Sequence, residues 1–296
     1  FGLLANILNI IIFLKAGAKD SVTILLLSLS ASDLLYLTLI VANMSVEAMR
    51  LLAPSHIWTF DSSILAVFSY WPAMIAYDFS SYITVSLGIM RCVCVALPIK
   101  FKHVVSTTKT IIFVVCLGAI AIIMKLPEMT EYRISCREDP QTNTTTLYLE
   151  RFNYVQALQV YTILNRAIAY MVYISMVASV IVLIIKLYKA SKIRRSCPSD
   201  LSDSDPRKPP TQAMSSRDIQ LVKSVVLICS IFIVSQSAFL IPSMARLILP
   251  NVYDNTILAI SAGVTYRILK FLNASVNIFV YYNFNRKYRS IFLSLL

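Results

Sequence analysis

Apolar residues fill this chain in long runs, near 21–46, 62–96, 109–127, 158–187, 220–249 and 255–282, with a shorter run over 1–14. A helix needs about 20 predominantly apolar residues to cross the hydrocarbon of a bilayer, and the six long runs reach that length. The opening run, at about 1.5 Å per residue, spans only about 21 Å. Lys15 and Lys19 follow it where a helix end leaves a membrane, so it reads as the remainder of a first span that begins upstream. Alternating segments of about 10 residues, the mark of a membrane barrel, do not occur. The pattern predicts an all-α membrane protein: a seven-transmembrane helix bundle over 1–296, with Asn283–Leu296 as a short amphipathic eighth helix. The Ser/Pro/Asp-rich stretch 196–217 reads as a flexible inner loop.

Polar residues interrupt these runs at intervals: Asp33, Asp78, Ser80, Arg91, Lys125, Arg267, Lys270, Asn273 and Asn277. An ionisable group at the centre of a span costs about 2.5–3.5 kcal/mol on insertion scales, so such groups are functional by default. Polar groups spread over several helices are satisfied together only where those helices meet. The spacing therefore implies a polar, hydrated seam through the bundle.

Composition agrees: 57% of residues are hydrophobic and 14% charged, against about 25% charged in soluble domains. Of the 27 basic residues, 18 fall on the loops and helix ends around 15–20, 97–109 and 188–219 and the C-terminal tail, with only five of the 15 acids. The positive-inside rule makes that side cytoplasmic. The expected setting is the plasma membrane, multi-pass, with the N-terminus outside. The net charge of +12 is thus topology. No basic–aromatic nucleic-acid module is present, and no Walker loop or Gly-x-Ser-x-Gly marks an enzyme. Asn143-Thr144-Thr145, in the outer loop 128–159, is a glycosylation acceptor on the side that the charge argument makes extracellular. Among the six cysteines only Cys136 falls outside, and no zinc spacing occurs.

The polar positions also form a familiar series. Gly2-x-x-x-Asn6, Leu29-Ser-Ala-Ser-Asp33-Leu, Trp58-x-Phe60, Ser80 to Arg91 followed by Ala96-Leu-Pro98, Phe239-Leu-Ile-Pro242, Asn273-x-x-x-Asn277-x-x-x-Tyr281 and Tyr288 occur in order. Together they resemble the rhodopsin-like (class A) G-protein-coupled receptors over the whole chain. The departures point to a divergent branch, of invertebrate chemosensory or peptide-receptor type. Met90-Arg91-Cys92 replaces the acidic-Arg-Tyr triplet, Ile278 stands where a proline usually kinks the seventh helix, and Leu240 takes the place of the switch tryptophan. Ala66 replaces the cysteine to which the family's outer loop is stapled.

The resemblance implies a receptor that binds an extracellular ligand and activates a heterotrimeric G protein from within the lipid bilayer. Arg91 and Tyr281 are then the G-protein coupling residues; as charge alone, Arg91 is an inner-leaflet anchor. Asp33, Ser80, Asn273 and Asn277 match the family's allosteric Na⁺ set, and a neutral, hydrogen-bonded Asp33 is the alternative. No other cofactor is implied. Aligned on Arg91, Tyr70, Met74 and Tyr77 lie on the ligand-facing stripe of span three, and Ala73 stands where amine receptors carry an aspartate. Arg267 and Lys270 in span seven favour a peptide or a small acidic ligand. Asp78 and Lys125 are expected to pair. The alternative function is a seven-helix ion transporter or channel, but the spans do not divide into inverted repeats with broken helix pairs.

Overall fold

The computed structural model describes residues 1–17, 20–52, 62–96, 106–139, 144–151, 155–196, 216–248 and 256–295. Nine helices and one hairpin occur among them: α1 (Gly2–Ala16), α2 (Ser21–Leu52), α3 (Ser62–Ala96), α4 (Thr107–Met129), β1 (Tyr132–Asp139), β2 (Thr144–Arg151), α5 (Val155–Ser196), α6 (Ser216–Ile248), α7 (Thr256–Ser275), α8 (Asn277–Phe284) and α9 (Arg286–Leu293). Among the described residues, α2 to α6 are long and apolar enough to cross a membrane, while α1 is apolar but short. The chain divides into two compact units. The first holds 1–14, 18–83 and 107–172; the second holds 15–17, 84–106 and 173–296.

In the first unit, α2 starts where Asp20 accepts hydrogen bonds from the Thr23 amide (3.1 Å) and hydroxyl (2.5 Å). That carboxylate satisfies an orphan donor of the first turn and complements the helix dipole. From there α2 and α3 run antiparallel in a fixed register. Asp33 meets Ser80 and Tyr36 meets Tyr77, while farther along the Asn43 amide donates to the Ala66 carbonyl (2.8 Å) and to Ser69 Oγ (3.3 Å). Leu25, Leu29 and Leu37 of α2 and Ile83 of α3 are buried. On α4, the missing side chain of Gly118 admits Phe79 of α3, whose ring lies 3.6 Å from where a Cβ would stand.

The outer loop 128–159, for which the sequence reading named no secondary structure, holds a regular antiparallel hairpin. Its pairs run from Tyr132 with Arg151 to Asp139 with Thr144. The strand propensity is legible in retrospect: β2 reads Thr-Thr-Thr-Leu-Tyr-Leu-Glu-Arg, with three β-branched residues and an aromatic one. The Trp71 ring of α3 lies 6.4 Å from that of Tyr132, tilted by 46°. Asn143 lies outside the described residues, as does 197–215 of the inner loop; the edges of that loop, Ser196 and Ser216-Arg217, are helical.

In the second unit, span seven is broken rather than continuous. The Val276 amide still bonds to Leu272 (3.0 Å), but the Phe279 amide turns to the Val276 carbonyl (3.1 Å), an i to i+3 bond that tightens the chain. Ser275 Oγ donates to the Phe271 carbonyl at 2.7 Å beside the break. Such back-bonding bends helices, and so the break forms without the proline that Ile278 replaces. Asn285, in an extended conformation, then caps α9 by accepting from the Tyr288 amide (3.1 Å). Tyr288 is buried against Tyr281 at 5.6 Å and Phe292 at 6.4 Å, while Arg286, Lys287 and Arg289 stay exposed. This confirms the amphipathic eighth helix. Burial pushes the Tyr288 phenol well above its ordinary pKa. Lys287 Nζ donates to the Ala16 carbonyl at 2.7 Å, satisfying an orphan acceptor at the end of α1.

Candidate functional site

Asp33 is 1% exposed and Ser80 2%, and the Ser80 hydroxyl donates to Asp33 Oδ1 at 2.6 Å. The distance is that of a charge-assisted O–H···O bond. One helical turn away, toward the C-terminal end of α2 and the N-terminal end of α3, the Tyr36 and Tyr77 rings pack at 5.3 Å with a 51° tilt. The stripe predicted on α3 is thus graded: Tyr70 is exposed, Met74 half-buried and Tyr77 buried. Asn273 and Asn277 belong to the second unit, where both are buried, on α7 and at the first residue of α8. The break in span seven falls between them.

A second polar cluster occupies the first unit, and it exceeds the expected pair. Lys125 Nζ lies 3.4 Å from Asp78 Oδ2 and 3.4 Å from Glu128 Oε2. Asn165 of α5 donates to the other Glu128 oxygen at 3.2 Å. Sequence reasoning found Asp78 and Lys125 and missed Glu128, because Glu128 sits at the helix end and looked like a loop residue. The signal was the i,i+3 spacing from Lys125, which places both on one helix face.

In the second unit, Arg91 is 8% exposed and Tyr281 1%. Neither presents itself to an effector in this conformation. Beside Arg91, Cys92 takes the place of the family's tyrosine and donates its thiol to the Ser179 carbonyl of α5 (3.3 Å). One turn earlier, Gly88 allows close approach: a Cβ there would stand 3.4 Å from both Cys229 Sγ of α6 and Ser179 Cβ. Three helices therefore converge next to the arginine.

The two intramembrane cations of α7 part company. Lys270 is 6% exposed, with Nζ 4.3 Å from the Tyr266 ring centre, whereas Arg267 is exposed. A cation over an aromatic face gains about 0.5–2 kcal/mol, more where water is excluded. Tyr266 in turn stacks on Phe239 of α6 at 4.9 Å. So Phe239, one residue before the position that lost its tryptophan, supplies the ring contact from α6 to α7; Leu240 is buried. Arg166 is exposed.

The family described as 7 transmembrane receptor (rhodopsin family) matches residues 5–281. The chain belongs to that family. It is accordingly a multi-pass membrane receptor of class A rather than an enzyme, and the helical bundle expected from the apolar runs is the family's architecture. No curated protein matches the chain significantly. The positions that this rhodopsin-family receptor shares with the series, Asp33 and Ser80 in the first unit and Asn273, Asn277 and Tyr281 in the second, are all buried.

Proposed function

We propose that this receptor binds an extracellular peptide or small acidic ligand and activates a heterotrimeric G protein at its opposite, cytoplasmic end. Family membership and the burial of Arg91 beside the α3–α5–α6 convergence carry the reading. A guanidinium covered by neighbouring helices becomes available when α6 moves aside, and Pro242 within α6 supplies the hinge. Tyr281, packed on Tyr288, holds α9 against the end of α8 and is the second coupling residue. The bias of basic residues places the N-terminus outside and the C-terminus in the cytoplasm, which puts Asn143 where it is glycosylated.

The ligand surface of the first unit is the graded stripe Tyr70, Met74 and Tyr77. In the second unit, Lys270 and Arg267 provide positive charge for a ligand carboxylate. An extended peptide has a further partner in the hairpin, whose outer strand edges offer backbone donors and acceptors. The test is a screen of peptides and small carboxylates on cells carrying a promiscuous G-protein reporter. A responding ligand should lose at least about tenfold in potency, or about 1.4 kcal/mol, on Lys270→Gln. A ligand that is cationic, or a potency that Lys270→Gln leaves unchanged, overturns the acidic-ligand reading.

Asp33 and Ser80 are proposed to bind Na⁺: a carboxylate and a hydroxyl are hard oxygen donors, and a cation offsets the cost of a charge buried to 1%. Purified receptor should melt at a higher temperature in sodium chloride than in choline chloride at equal ionic strength, because a ligand that binds only the folded state stabilises it. Asp33→Asn should remove the difference. An equal melting temperature in the two salts for the unsubstituted receptor sinks the ion site in favour of a neutral Asp33.

A further inference from the structure

The ammonium of Lys125 stands 3.4 Å from each of two carboxylates, Asp78 of α3 and Glu128 of α4. Those carboxylate oxygens are therefore no farther apart than twice that distance, and one positive charge serves both. Glu128 is the first residue past the apolar run 109–127, in the last turn of α4, where the negative end of the helix dipole opposes an anion. Among the described residues, the charged groups that act on it are Lys125, Asp78 and Glu131, which is buried two residues past the end of α4. Burial holds the Glu128 carboxyl above the usual carboxylate range; Lys125 pulls it down, and Asp78 and Glu131 push it up again. Its side chain keeps 20% of its surface exposed, so a proton needs no cavity to reach it. From α5, Asn165 donates to one oxygen of Glu128. One turn before Asn165, the Tyr161 hydroxyl is covered and has no hydrogen-bond partner among the described residues, in the field of both carboxylates and of Tyr82. A covered polar atom left unpaired calls for a cause. Its lone pairs can accept from a protonated carboxyl but not from an ionised one, which has no hydrogen to give.

We propose that Glu128 is a proton-binding site of this receptor, ionised in neutral medium and protonated as the medium acidifies. A Glu128 oxygen takes the proton from hydronium, which leaves as water. Lys125 and Asp78 then remain as a neutral pair, the surplus negative charge is gone, and the new O–H donates to Tyr161. Tyr161 is the positioning residue: it acts on the proton only through Glu128. The contact of α3, α4 and α5 within the first unit is thus tighter in acid than in neutral medium. In the unfolded chain Glu128 titrates in the ordinary glutamate range, at about 4.3. The folded receptor takes up the proton at higher pH, so its stability rises as pH falls through the folded midpoint. Neither the ligand nor the G protein of the proposed function enters this site, and it stands or falls without them.

The purified receptor, titrated from about pH 7.5 to about pH 5.5, tests the site. Its infrared spectrum should gain the carbonyl band of a protonated carboxylic acid as the pH falls, and its melting temperature should rise by at least about 2 °C. Glu128→Gln should lose both the band and most of the rise. His56 and His103 are present in both proteins, so the comparison removes their titration. Tyr161→Phe, which keeps the ring and deletes only the acceptor, should form the band at lower pH than the unsubstituted receptor does. No band in the unsubstituted receptor, or a band that persists unchanged in Glu128→Gln, overturns the site. If Glu128→Gln cannot be purified, Tyr161→Phe decides in its place, and a midpoint that it leaves unmoved overturns the proposal.

Discussion

Membranes carrying this receptor, with no ligand added, should drive nucleotide exchange on a heterotrimeric G protein above background, and Arg91→Ala should return the rate to background. The first half follows from Met90. In the family pattern the residue before the arginine is acidic and holds it in the inactive state; here it is a thioether with no charge. Even an exposed ion pair is worth up to about 1 kcal/mol, and Arg91 is largely covered. Its absence therefore raises the active population by about fivefold or more, a large factor where the minor state amounts to about 0.1–10%. Opposing this, Arg91 is buried to 8% and lies beside a contact of another kind, the Cys92 thiol on the Ser179 carbonyl at 3.3 Å. A thiol is a weak donor, so it replaces an ion pair only in part. The second half of the prediction is the larger effect. The proposed contact with the G protein, once α6 has moved, rests on this guanidinium, and the substitution removes it. Exchange by Arg91→Ala equal to that of the unsubstituted receptor, at matched surface density, sinks the coupling role.

Much of this was written in the chain because a membrane makes polarity expensive. Long apolar runs place the starts of α2 to α6 within four residues of those observed, while α2 and α5 continue past their runs to Leu52 and Ser196, and a carboxylate such as Asp33 or Asp78 has few places to go in lipid. Its partner is then the next polar residue on a neighbouring helix. This is why the Asp33 and Ser80 bond and the Asp78 and Lys125 pair were both legible. What escaped depends on local geometry without a polar mark. The hairpin of 132–151 was hidden by its connection to spans, where the strand propensity of eight residues is weak beside apolar runs of about 20. The break at Val276 was hidden because its usual sign, a proline, is absent and a serine hydroxyl substitutes for it. The separation of Lys270 from Arg267 was also hidden: three residues apart on one helix, they differ in which one finds an aromatic ring.

Removing Lys125 should harm the receptor more than removing Asp78, and the asymmetry comes from Glu128. Two carboxylates share one ammonium, each at 3.4 Å, and none of the three side chains is more than 28% exposed. Breaking a buried pair by deleting one partner costs about 3–5 kcal/mol, because the other charge is left uncompensated. Lys125→Met leaves two such charges, Asp78 and Glu128, facing each other across the lost cation. Asp78→Asn leaves none: Lys125 keeps Glu128, and Glu128 keeps the Asn165 amide at 3.2 Å. Surface expression and melting temperature should therefore fall steeply for Lys125→Met and mildly for Asp78→Asn. Asp78→Asn with Lys125→Met should recover part of the loss, and a triple replacement with Glu128→Gln should recover more, since removing all the charges together removes the desolvation penalty with them. A pair acting alone predicts otherwise, with equal single losses and full recovery in the double variant. Strict additivity across all three positions would mean that the charges are not coupled at all. The measured pattern thus decides whether α3, α4 and α5 are held by a pair, by a triad, or by packing alone.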